Sequence, residues 1–175
     1  MISFVIVFGT AFLTSLILTP LTVPLGFRWG AVDVPGGRKA HREVKSRLGG
    51  IALFVSFTLA VALTLILPPS LLPPRNDPKE LTRLTGVMLG SFFIFIVGLL
   101  DDKFDLRPPF QLLSQVAVSL IAIAFLVFIE RVMNPFTNRL VIFPFPLVVA
   151  FTIFWISGMI NTVNFLDGLD GLAAG

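Results

Sequence analysis

The chain has no cysteine, no tyrosine and a single histidine, and Asp, Glu, Lys and Arg together make up only 13% of its 175 residues. The missing cysteine excludes disulfides, thiolate metal sites and thiol nucleophiles. It does not fix the compartment, because a reduced cytoplasmic face needs no disulfides. Soluble domains carry about 25% charged residues, so scarcity of charge argues against a soluble domain. What replaces the charge is apolar: 55% of residues are hydrophobic, 19 of them Phe, and the mean hydropathy is +0.95. The net charge is +3, with the basic residues clustered in one loop. That clustering suggests a membrane-topology signal and no nucleic-acid partner.

Charged or Pro/Gly-rich breaks separate five apolar stretches, at about residues 2–25, 48–67, 84–100, 110–129 and 140–160. A helix needs about 20 apolar residues to cross roughly 30 Å of hydrocarbon, and each stretch is close to that length. The first has no positive n-region and no small-residue cleavage site after it, so it reads as a span and not as a signal peptide. The expected fold is an all-α polytopic transmembrane bundle, one domain over residues 1–175, with no repeat and no linker. Residues 134–146, mixing Pro, Asn and β-branched types, suit a small hairpin.

Short-loop Lys and Arg set orientation. The loop after the first span holds Arg28, Arg38, Lys39, Arg42, Lys45 and Arg47, which predicts that it is cytoplasmic and the N-terminus outside. Alternation then puts residues 26–47, 101–109 and 161–175 on one face. Those three segments hold nearly all the unusual polar chemistry of the chain, so parity alone is expected to gather them at one cytoplasmic site.

Asp101 and Asp102 end the third span, with Asp105 three residues on. Adjacent carboxylates at a membrane edge are costly unless cations or donors compensate them. A divalent ion held by carboxylates and substrate phosphates is the natural compensation. The bland alternative is a charged stop signal, but a cytoplasmic stop prefers Lys or Arg and rarely needs two acids. At the end of the fifth span, Asn161, Asn164, Asp167 and Asp170 fall within ten residues, with Gly168 and Gly171 after the two acids. Asn161, Asn164 and Asp167 share a helix face, and their oxygens suit Mg2+ or a nucleoside. A helix cap needs one Gly or Asn, not this set. In the first loop, Arg38, Lys39 and His41 follow Gly36-Gly37, and Gly49-Gly50 open the second span. Such a loop suits phosphate, and it equally suits anionic lipid head groups. His41 could act as acid/base, as phosphate donor or as a surface residue. Acids for a metal, bases for phosphates and amides for a polar ligand together suit a reaction between a soluble phosphate compound and a lipid.

Three segments carry a resemblance: Asp33-Val-Pro-Gly-Gly-Arg-Lys-Ala-His41 with Gly49-Gly50; Gly98-Leu-Leu-Asp-Asp-Lys-Phe-Asp-Leu106; and Asn161-Thr-Val-Asn-Phe-Leu-Asp-Gly-Leu-Asp-Gly-Leu-Ala-Ala-Gly175. In order and spacing they resemble the polyprenyl-phosphate N-acetylhexosamine-1-phosphate transferase family, which includes the phospho-MurNAc-pentapeptide translocase. The last segment is the most specific. The resemblance implies a Mg2+-dependent enzyme, with Mn2+ as the alternative ion, in the plasma membrane. It would transfer a sugar-1-phosphate, GlcNAc-1-phosphate by the motif details, from a UDP-sugar to undecaprenyl phosphate and release UMP, for cell-wall or surface-polysaccharide synthesis. It implies that Asp101, Asp102 and Asp167 are catalytic, with Asp101, Asp102, Asn164 and Asp167 at the metal. Arg38, Lys39, His41, Asn161 and Asp170 would bind substrate. A homodimer is compatible with it. Two positions depart from the family pattern: Ser46 stands where Pro is frequent, and Gln111 where a basic residue is frequent. The family has about ten spans, so the resemblance implies that these residues are the N-terminal half of a longer transferase, inactive by themselves.

Two other readings suit parts of the pattern. Asp101-Asp102-x-x-Asp105 and Asp167-x-x-Asp170 also suit a Mg2+-dependent membrane prenyltransferase, which leaves the Arg38-Lys39-x-His41 loop unexplained. A transporter subunit would favour ionisable groups near mid-membrane, and the interiors of the five stretches have none.

Overall fold

In hydrocarbon a backbone N–H or C=O cannot go unpaired, so long apolar runs close into helices. A computed structural model describes residues 2–33, 44–74 and 76–166. Each predicted span contains a helix: α1 (Ile2–Trp29), α2 (Gly49–Ile66), α3 (Glu80–Phe104), α4 (Pro108–Ala124) and α5 (Phe145–Leu166). The fifth span starts late, because residues 140–142 of the predicted stretch pair as a strand and α5 begins only at Phe145. α1, α2, α3 and α5 are long and apolar enough to cross a membrane. α4, with 17 residues, sits at the short end of the spanning range of about 17–25. The fold is all-α and polytopic, with two small antiparallel ribbons. In one, β1 (Val32–Asp33) pairs with β2 (Lys45–Ser46). In the other, β3 (Arg131–Met133) pairs with β4 (Leu140–Ile142). The second is the expected hairpin, with its first strand upstream of the predicted range.

Helix ends depart from the apolar runs for local reasons. α1 continues past Leu25 to Trp29 and stops at Gly30, whose φ of 72° is left-handed and favours glycine. The Ala31 N–H then donates to the Gly26 carbonyl at 3.1 Å, the long bond of a Schellman cap. α4 starts on Pro108-Pro109, whose missing N–H groups a first turn does not need. It ends at Ala124 although apolar residues run on to Ile129. Leu126 takes the left-handed turn at φ 62°, and Val127 N–H reaches the Ala122 carbonyl at 2.8 Å. A leucine there gives no sequence warning.

The chain divides into two compact units, Met1–Asp77 with Phe95–Leu106, and Pro78–Ile94 with Arg107–Gly175. In the first unit α2 buries Ala52, Ser56 and Ala60, one small residue per turn, and Phe54 stacks on Phe95 with ring centroids 4.1 Å apart. In the second, α4 buries Ser114, Gln115, Val118 and Ser119, and α5 buries Val148, Thr152 and Ser157. The early part of α3 meets α4 through Gly86 and Gly90. A Cβ on Gly86 would run into the Phe125 side chain, and one on Gly90 would lie 3.1 Å from Val118 Cγ2. Small residues let helices approach where lipid removes any hydrophobic gain from pairing. Large side chains such as Phe4, Phe8, Phe12 and Phe154 point outward, as a lipid-facing surface requires.

Candidate functional site

The basic loop is anchored at its base. Val32 pairs with Ser46 and Asp33 with Lys45, and the Arg47 N–H donates to the Ala31 carbonyl at 3.0 Å. Ala31 and Leu48 are both buried. Ser46, the departure from the family pattern, sits where a Cβ on Gly26 would be. Its hydroxyl donates to the Thr22 carbonyl at 3.5 Å and accepts the Leu48 N–H at 3.3 Å. The serine therefore fastens the returning strand to α1 and caps the approach to α2. Gly49 and Gly50 follow, with open space where a Cβ would stand. The first turn of α2 thus offers unshielded backbone at the positive end of a helix dipole, a setting that favours anions.

The acidic pair lies at the far end of α3. Asp105, at φ 48°, closes the helix, and its N–H donates to the Asp101 carbonyl at 2.8 Å. Asp101 then uses a side-chain oxygen, Oδ1, to accept the Leu106 N–H at 2.9 Å. One carboxylate oxygen of Asp101 is thereby committed to turning the chain. Asp102 is half-buried beside it, about 100° further round the helix. Lys103 lays its ammonium over the Trp29 ring at 5.9 Å and the Phe104 ring at 5.4 Å. Arg47 Nη1 donates to Asp105 Oδ1 at 2.8 Å. These contacts join the end of α1, the base of the loop and the acidic end of α3 within one unit, as parity predicts for two of the three segments.

In the second unit, α5 carries Asn161 and Asn164 on its last turns. Asn161 and Gln115 exchange two hydrogen bonds, each 3.0 Å, which tie α5 to α4. Gln115 is buried, and Asn164 is exposed. Asn161 therefore has a packing partner inside its unit in addition to any ligand role. The expected site residues Arg38, Lys39, His41, Asp167 and Asp170 lie outside the described residues. Arg47, Ser46 and Gln115 have positions in the site's framework that the motif reading does not assign to them. For Gln115 the signal was present: an amide inside a mainly apolar stretch demands a partner.

Among the described residues no group of three or more His, Asp or Glu side chains stands close enough to hold a metal ion on its own. The Asp101–Asp102 pair still fits Mg2+, which keeps several waters and takes one or two carboxylates plus substrate phosphates.

Comparison with known proteins places this chemistry in a family. The chain is similar to the "Probable undecaprenyl-phosphate N-acetylglucosaminyl 1-phosphate transferase" of Bacillus subtilis, 34% identical over 178 residues, covering 100% of this chain and 45% of that protein. It is 29% identical to the phospho-N-acetylmuramoyl-pentapeptide-transferase of Streptococcus uberis, over 93% of this chain and 51% of that one. It is 30% identical to an undecaprenyl-phosphate alpha-N-acetylglucosaminyl 1-phosphate transferase of Thermotoga maritima, over 82% of this chain and 39% of that one. The chain thus spans about half the length of these relatives or less. No solved structure matches it. The model of glycosyl transferase family 4 matches residues 84–175, a stretch that holds both the acidic pair on α3 and the Asn-rich end of α5, and the chain belongs to that family.

Proposed function

We propose that the protein containing this chain transfers an N-acetylhexosamine-1-phosphate, GlcNAc-1-phosphate first among them, from a UDP-sugar to undecaprenyl phosphate. The acceptor's phosphate oxygen attacks the β-phosphorus of the UDP-sugar, the bond from that phosphorus to the bridging oxygen breaks, and UMP departs with that oxygen. The product is a lipid diphosphate sugar. The site faces the cytoplasm of a plasma membrane. The observation that carries this reading is the Arg47–Asp105 ion pair, which ties the base of the basic loop to the helix end bearing Asp101 and Asp102. Cationic and anionic groups then meet at a span end, where a soluble diphosphate and a lipid phosphate can both arrive.

In this reading Asp101 and Asp102 would hold Mg2+. Bound there, such an ion would supply charge neutralisation for the phosphates. Arg38, Lys39 and His41 bind the diphosphate. Asn161 and Asp170 take the nucleotide side, and Asn164 and Asp167 carry oxygens suited to a metal.

The test is UMP release by membranes expressing the full gene product, supplied with UDP-GlcNAc, undecaprenyl phosphate and Mg2+. Release should require both the lipid and the metal. Asp102→Asn should lower it by roughly a hundredfold or more, the scale of losing one preorganised charge at a reacting centre. Release from another UDP-sugar alone would keep the reaction and change the donor. Absence of release from every UDP-sugar would end the proposal.

A further inference from the structure

Neither face of the β3–β4 hairpin is mainly polar. Its register is Arg131↔Ile142, Val132↔Val141 and Met133↔Leu140. Successive side chains alternate between faces, so Val132 and Val141 line one face while Met133, Leu140 and Ile142 line the other, with Arg131 at its edge. All six paired residues are exposed. An antiparallel ribbon resting on a core shows one apolar face and one polar face, and this one shows apolar side chains on both, with a single charge, Arg131, on one. At the turn, Asn134 Oδ1 accepts the Phe136 and Thr137 N–H groups at 2.9 and 3.3 Å. That turn holds Phe136 outward, 95% exposed.

The hairpin is fixed to a span. Ile129 N–H donates to Thr152 Oγ1 at 3.0 Å, and Thr152 is buried on α5. The Phe143 ring packs on Phe151 at 5.6 Å. β4 ends three residues before α5 begins, so the ribbon is held at the level where α5 starts. Its charge is basic on balance. Glu130 is paired to Arg131 at 3.2 Å, and Arg139 has no ion-pair partner among the described residues. Exposed apolar groups with arginines beside them, attached at the end of a spanning helix, match the chemistry of an anionic lipid surface.

We propose that the β3–β4 hairpin is an interfacial membrane anchor. It sinks Phe136 and the apolar side chains of both faces into the headgroup–acyl boundary beside α5, and Arg131 and Arg139 hold anionic headgroups. The chain has no cysteine, so Phe136→Cys introduces one thiol for a spin label, with any cysteine elsewhere in the full gene product replaced. Asn76→Cys, in the exposed loop before α3, is the water-facing reference. The protein is placed in vesicles of phosphatidylglycerol and phosphatidylcholine, and collision with oxygen and with a water-soluble nickel chelate is read by electron paramagnetic resonance. The label at 136 should favour oxygen, report a depth of about 5–10 Å, and lie shallower in pure phosphatidylcholine. Arg131→Gln with Arg139→Gln should abolish that lipid dependence. Chelate access equal to that at position 76 would put the hairpin in water. Low access to both reagents would mean that protein covers it. A lipid dependence unchanged by the double substitution would remove the headgroup role. Each of these results overturns the proposal.

Discussion

The two motif-bearing helix ends are secured by opposite chemistry. At the end of α3 the fastening is ionic and wet: Arg47 and Asp105 have side-chain exposures of 28% and 83%. Between α4 and α5 it is neutral and dry, a reciprocal amide pair with Gln115 only 5% exposed. The difference follows the cost of burial. A charge pair survives near water because it never loses its solvation, and for that reason contributes little. In an apolar setting a charge is expensive, so uncharged amides take its place, and leaving either amide alone is costly. Substitutions should therefore have unequal effects at the two ends.

The largest effect should come from Gly86→Leu, which drives a side chain into Phe125. Overpacking of this kind costs about 3 kcal/mol, seen as a large fall in melting temperature of the detergent-solubilised protein. Asn161→Ala should come next. It strands the buried Gln115 amide, for a loss of about 2 kcal/mol, and Gln115→Leu in the same chain should recover most of it. A loss that the second substitution does not relieve would mean that the amide pair is not what joins α4 to α5. Asp101→Asn keeps an acceptor for the Leu106 N–H, so its stability should change by less than about 0.5 kcal/mol while UMP release falls. Stability and activity falling together would show that Asp101 serves only the cap. A comparably small effect should come from Arg47→Ala, about 0.2–1 kcal/mol and shrinking as salt is raised. A larger, salt-independent loss would erase the contrast between the wet and dry ends.

Much of this was legible in the sequence. Hydropathy located all five helices because lipid imposes one rule on every residue of a span. It misjudged where α4 ends because the turn uses Phe125 and Leu126, residues that look like continuing helix. β1 and β2 were invisible, being two residues each with no alternation to detect. The joining of the loop base to the acidic pair was legible through parity, but its agents, Arg47 and Asp105, are 58 positions apart and no local pattern links them. The same holds for Gln115 and Asn161, separated by 46, although each alone announces an amide needing company. The Gly86-x-x-x-Gly90 spacing was a readable sign of close helix approach that the motif reading did not use.

The β1–β2 pairing has an effect on how this loop can vary. Because Val32 and Ser46 are held one strand spacing apart, about 5 Å, any segment joining them closes a ring whose ends are fixed. Adding to such a ring costs only a logarithm of its length, roughly 0.6 kcal/mol for a doubling. Length changes between the two strands therefore cost little in closure, while α1, α2 and the end of α3 stay fixed by their own contacts. The ribbon makes the loop an exchangeable cassette.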